Sequence, residues 1–201
     1  MLTFAPTRRH THRSAVNLRR LPASVTGLRV EGGGIVPVTV AVKDAEGWLL
    51  PSAAPQVRFV KSARYLPSSP DTGADGEVEI LARIERNLAE EPLAGFVAEG
   101  AVPNGGTIRT MDAALRQAAF SGMPVVQVGR GNAEGISAAP RHGLLIGGSN
   151  LTANKARILL MACLMKLGSL PPATDPRSPT PDEVAALKAR VAEYQAIFDT
   201  H

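Results

Sequence analysis

The run Asn104-Gly105-Gly106-Thr107, set between an apolar stretch and a helical repeat, is the part of this sequence whose residue types best suit chemistry. Glycines let a backbone approach a ligand closely. The N-terminus of the helix that follows presents unpaired N–H groups with partial positive charge, so the turn suits a carboxylate or another small anion. Asn104 adds an amide that both donates and accepts. The same residue types also make a plain turn, and that alternative stands beside the ligand-binding one. Thr107 brings a hydroxyl. A threonine acts as a nucleophile only with a base within about 3 Å, and the adjacent sequence supplies none.

Other constellations are weaker. Asp71-Thr72-Gly73-Ala74-Asp75 spells an aspartic-protease motif, but Pro67, Ser68, Ser69 and Pro70 stand where an apolar strand would have to deliver the aspartate. A polar turn leading into a helix is the reading we adopt. His10 and His12 are two apart, with His142 and His201 far away, and a zinc site needs three or four convergent ligands. No metal and no cofactor is expected. His142 reads as a cap on a strand, and Cys163 as a small core residue.

These residues need elements to hold them. Phe96, Val97 and Ala98 read as a strand that ends at the Gly-rich turn, after which Ile108, Met111, Leu115 and Ala118 recur at helical spacing until Gly122. Val125, Val126 and Val128 form a short β-branched run suited to a strand covered on both faces. Leu144, Leu145 and Ile146 supply another. From Thr152 to Leu167 nothing breaks a helix, and its apolar content predicts packing on both sides. At about sixteen residues, with Lys155, Arg157 and Lys166 in it, this helix is too short and too charged to span a bilayer roughly 30 Å thick. Upstream, Val57, Phe59 and Val60 predict a strand. Asp75 reads as the N-cap of a helix carrying Val78, Leu81, Ile84 and Leu88 as far as Pro92.

The segments GFVAEGAVPNGG, MPVVQVGRG, HGLLIGGSN and, above all, NLTANKARILLMACL resemble the C-terminal domain of the L-asparaginase (asparaginase/glutaminase) family. The resemblance implies an α/β domain that contributes to a substrate pocket and an oligomer interface for hydrolysis of L-asparagine to L-aspartate and ammonia. It also implies substrate contacts from an Asn in the Gly-rich turn and a Glu in a later loop. Here these become Asn104, with the backbone of Gly105 and Gly106, and Glu134, the acid nearest the matching position at Ile136. The family's nucleophilic threonine and its Thr-Asp-Lys group belong to a preceding domain. This sequence contains neither a Thr-Gly-Gly-Thr-Ile nor a Gly-Thr-Asp-Thr motif. Asn104 to Ile108 look like the nucleophile loop but align with the C-terminal domain's own turn. The expectation is therefore a chain without a catalytic residue, inactive alone, because the nucleophile-bearing domain is absent.

Residues before Glu31 include six arginines and no acid. A transit peptide, a nucleic-acid arm and a segment similar to the asparaginase interdomain linker compete for them. Pro6 and Pro22 limit an amphipathic helix, and no aromatics interleave the basic residues, so the linker is favoured. Ile35 to Lys43 alternate as a half-solvated strand, and Trp48 to Leu50 read as a short second one. After Ser169 comes a Pro-rich linker. Thr180, Pro181 and Glu183 then open a capped helix whose Val184, Leu187, Val191, Tyr194 and Phe198 form one stripe, suited to docking on the domain or on a partner chain.

Length and composition agree with this layout. The chain has 201 residues, 44% of them apolar, enough for a full core, and 4% aromatic, so that core is aliphatic. A net charge of +4 makes the surface slightly basic, without the clustering that nucleic acid or a membrane surface requires. One cysteine excludes an intrachain disulfide and fits a reducing compartment, and no signal-peptide pattern opens the chain, so a cytoplasmic location is expected. The expected fold class is α/β, a small parallel sheet of about four strands flanked by helices. The expected divisions are 1–55, a basic linker-like segment with one or two strands; 56–169, the α/β domain; and 170–201, the Pro-rich linker and final helix. Expected partners are an amino acid, L-asparagine or L-aspartate, and further copies or an asparaginase-like chain in a homo- or hetero-oligomer. The rival expectations are a binding module that holds a small anion or amino acid without chemistry, and an oligomerisation partner for a full-length relative.

Overall fold

Four apolar runs become the four parallel strands of one sheet, in the order β3-β4-β5-β6: Gln56–Lys61, Ala94–Gly100, Val125–Gly129 and Ile146–Gly147. The computed structural model describes residues 21–61, 72–101, 105–130, 140 and 142–201, with 72–79 and 81 described by backbone alone. Every residue of β4 except Glu99, and every residue of β5, is buried. Burial on both faces explains why these strands read as largely apolar runs rather than alternating ones. The sheet lies between α1 (Thr72–Glu90) with α2 (Arg109–Phe120), which pack together, and α3 (Ala153–Leu167), which crosses β3, β4 and β5. This is the α/β class that the sequence predicts.

Several boundaries differ from expectation. Asp75 is not an N-cap: α1 already begins at Thr72, which puts Asp75 inside the helix. Thr72 to Asp75 are therefore helical, where the sequence predicts a polar turn leading into the helix; Asp71 lies outside the described residues. Leu144 and Leu145 are buried but precede the strand, and only Ile146 and Gly147 pair with β5. Trp48 to Leu50 make one bridge, Lys43 to Leu49, rather than a strand. Nor is α3 enclosed all round. Ala156, Leu159, Leu160, Cys163 and Leu164 face the core, whereas Ile158 is 66% exposed.

Ahead of the sheet, β1 (Ser24–Glu31) and β2 (Gly34–Ala41) form an antiparallel hairpin closed by Gly32 and Gly33, both with positive φ. The free edge of β1 is tied to the domain: Leu28 N–H donates to the Pro92 carbonyl at 2.8 Å, and Ser169 N–H donates to Thr26 at 2.8 Å. Leu28 is buried in the main core, and a Cβ at Gly122 would collide with it. Burying such a leucine is worth about 2 kcal/mol, enough to seat the hairpin firmly. The arginines before Leu21 lie outside the described residues.

The final helix, α4 (Pro181–Phe198), has the capping box predicted for it: Thr180 accepts from the Glu183 N–H, and the Glu183 carboxylate accepts from the Thr180 N–H at 2.7 Å. Leu187, Val191, Tyr194 and Phe198 join the same core as the sheet. Of the two docking modes expected, the helix packs on its own domain.

Candidate ligand-binding turn at the carboxyl ends of the strands

At the end of β4 the chain reverses tightly. Gly105 N–H donates to Ala101 at 2.8 Å, and Ala101 N–H donates to Gly106 at 2.9 Å, closing a bridge between Ala101 and Gly106. Gly105 has φ +70, the left-handed region that favours glycine. Gly100 is glycine for a different reason: a Cβ there would strike the Gly105 carbonyl and lie 2.7 Å from that of Gly106. The turn thus folds directly over the strand that leads into it.

Gln127 fastens the turn to the sheet. It is buried in the middle of β5, between valines, and its side-chain amide donates to the Gly105 carbonyl. Its own carbonyl accepts from Gly148 N–H at 2.8 Å, so one residue ties the turn after β4 to the turn after β6. Beside it, Arg130 pairs with Glu99 at 3.2 Å, half-exposed, and Arg130 N–H donates to Gly100 at 3.1 Å. The ends of β4 and β5 are thereby locked.

Two helices start from these turns. Ile108 precedes α2 and Thr152 precedes α3, and neither end has a side-chain cap. Their first N–H groups are thus not claimed by a capping side chain and lie where the strands' carboxyl ends meet the surface. Ser149, just after β6, has φ 53 without being glycine. Such strain gathers where surrounding structure fixes a turn.

The proposed contacts fall unevenly on this frame. Gly105, buried, and Gly106, exposed, form the turn itself, and Thr107 stands half-buried before α2. Asn104 and Glu134 lie outside the described residues. Gln127 and Ser149 join the site from the structure; their signals in the sequence are a lone polar residue inside Val125 to Val128 and a Gly-Gly-Ser-Asn run after an apolar one.

His142 takes the capping role expected of it, just before β6: its Nδ1 accepts from Leu144 N–H at 3.1 Å, and its Nε2 lies 3.8 Å from Asp112. Cys163 is buried, and desolvation pushes its thiol up to about 12, against the opposing pull of Lys166. His10 and His12 lie outside the described residues. Among the described ones no three His, Cys, Asp or Glu side chains gather as a metal site would need. Among the described residues, too, no helix is long and apolar enough to cross a membrane.

No protein-family model and no curated protein matches this chain. Among solved structures it is similar to a probable cytoplasmic L-asparaginase from Campylobacter jejuni, at 20% identity and a TM-score of 0.48, over 85% of this chain. The match spans 47% of that protein's length.

Proposed function

We propose that this chain is an asparaginase-type C-terminal domain, which supplies part of a substrate pocket and an oligomer interface for hydrolysis of L-asparagine to L-aspartate and ammonia. Its motifs support the reading, and one structural observation carries it: the Gly105–Gly106 turn, pinned by Gln127, stands at the carboxyl ends of the strands against the uncapped start of α2. A substrate carboxylate placed there meets backbone N–H groups and the positive end of a helix. Asn104 and Glu134 are the side chains we assign to that substrate. No threonine of these 201 residues stands in a nucleophile motif, so in this reading the nucleophile comes from outside them, and these residues alone do not hydrolyse asparagine. We assign residues 1–55 to the linker-like segment with its strands, 56–169 to the α/β domain and 170–201 to the Pro-rich linker and final helix. A reducing cytoplasm suits its single thiol.

A second reading, a non-catalytic module for an amino acid or small anion, is favoured by the same turn being closed entirely within this chain. Calorimetric titration of L-aspartate separates the two. Heat from the chain alone at millimolar ligand supports the module. The half-site reading predicts silence, then ammonia release from L-asparagine once a chain carrying the missing threonines is added, with Asn104→Ala lowering that release. If such a chain neither co-purifies nor releases ammonia on mixing, the half-site reading fails.

A further inference from the structure

Outside the Gly-rich turn, His142 joins three parts of the fold. Its Nδ1 accepts the Leu144 N–H, so in the neutral ring the proton sits on Nε2, which faces Asp112 Oδ1 at 3.8 Å. That separation is an electrostatic contact rather than a hydrogen bond. The other carboxylate oxygen of Asp112 is held by Arg116, whose Nε lies 2.9 Å away. From α4, Lys188 faces the same ring and packs beside Gly143, and with His142, Leu145, Gln195 and Asp199 it lines a groove of about 480 Å³.

We infer that His142 is a pH-operated latch on the segment entering β6, holding Leu144 while the ring is neutral and releasing it once the ring is protonated. The reason is stoichiometric. An imidazolium carries a proton on both nitrogens and cannot accept from a backbone N–H, so protonation sets two donors against each other at Nδ1. The charged ring moves toward Asp112, the acid that acts on it among the described residues, and away from Leu144. Arg116 and Lys188 oppose that charge.

The working range follows from the same surroundings. Desolvation by burial is the largest influence and lowers the ring's pKa below 6.5; Asp112 raises it, and Arg116 and Lys188 lower it. The folded state therefore binds its proton less readily than the unfolded chain. The latch's contribution to stability is complete above 6.5 and is lost as pH falls below that value. What loosens is the approach to Gly147, where β6 meets Gln195 of α4. The groove between that segment and α4 then opens on the His142 side.

Proton and nitrogen resonances of the whole chain, followed through a pH titration, test this directly. The expected result is that His142 titrates below the ordinary histidine range and that Leu144 amide protection, corrected for intrinsic exchange, falls roughly five- to tenfold with the same midpoint, the scale of one ordinary hydrogen bond. His142→Asn places an acceptor oxygen where Nδ1 stood, so it keeps Leu144 protected at every pH. His142→Ala leaves that amide unprotected throughout. Leu144 protection that ignores the His142 midpoint, or the same pH dependence surviving in His142→Asn, overturns the latch.

Discussion

Gln127, inside a strand otherwise made of valines and a final glycine, holds the carbonyl of Gly105 through its side-chain amide. A polar side chain in a parallel sheet costs desolvation unless its bonds are met. Here it fixes the turn on which ligand binding is proposed. Gln127→Leu keeps most of the volume but leaves a buried carbonyl without its donor. We expect a loss of about 1–3 kcal/mol in denaturant unfolding, with the damage centred on the exchange of the Gly105 and Gly106 amides. Unchanged stability and unchanged exchange would mean that the turn stands without Gln127.

Gln195 does for the sheet edge what Gln127 does for the turn. Its Oε1 accepts from Gly147 N–H at 2.8 Å and its Nε2 donates to the Gly147 carbonyl at 3.2 Å, so a side chain pairs with β6 as a strand would. Gln195→Ala is expected to cost about 1–2 kcal/mol, and to raise self-association, because an open strand edge invites another strand. Ultracentrifugation across a concentration series reads the second effect; a monomer as dispersed as the parent would count against edge protection.

The start of α4 should be acid-sensitive. Hydrogen bonds from the Thr174 and Thr180 backbone hold the Glu183 carboxyl down to about 2, from an ordinary 4.5. A carboxyl with a depressed folded pKa stabilises fully above 4.5, and that support drains away as pH falls toward 2. Amide exchange at Thr174 and Thr180 should therefore rise over that interval. Glu183→Gln should flatten the response, and a response that survives the substitution would assign the acid sensitivity elsewhere.

Cys163 should be inert in the folded protein. Burial raises its thiol to about 12, so at about pH 8 almost none is thiolate, the form that reacts. A thiol reagent should label one cysteine per chain in denaturant and essentially none without it. Rapid labelling of the native protein would contradict the burial of α3.

Much of this architecture is legible in the residue pattern, and the misses have physical causes. Short runs rich in apolar residues mark the strands, which is why Val57 to Val60, Phe96 to Ala98 and Val125 to Val128 could be placed, the last two covered on both faces and the first leaving Arg58 exposed. Thr180 and Glu183 announce their helix because a capping box is a purely local device. Strand β1 follows an Arg-rich stretch that masks it: its pairing with β2 is a local hairpin, but the bonds that seat it, to Pro92 and Ser169, come from distant parts of the chain. The same holds for the site. Glycines reveal the turn, since a left-handed residue and a close approach both demand them at Gly105 and Gly100. Gln127 reaches that turn across 22 positions, and Gln195 reaches Gly147 across 48, separations that no spacing rule encodes. The exposed Ile158 shows the converse, an apolar residue that composition assigns to a core and tertiary packing leaves outside.

Ammonia release from L-asparagine by the purified chain, with Thr107→Ala beside it to expose contaminating activity, tests the central claim most directly. The half-site account predicts no release from either protein. Release from the parent that Thr107→Ala abolishes would contradict it, and would make the turn after β4 a nucleophile loop in its own right.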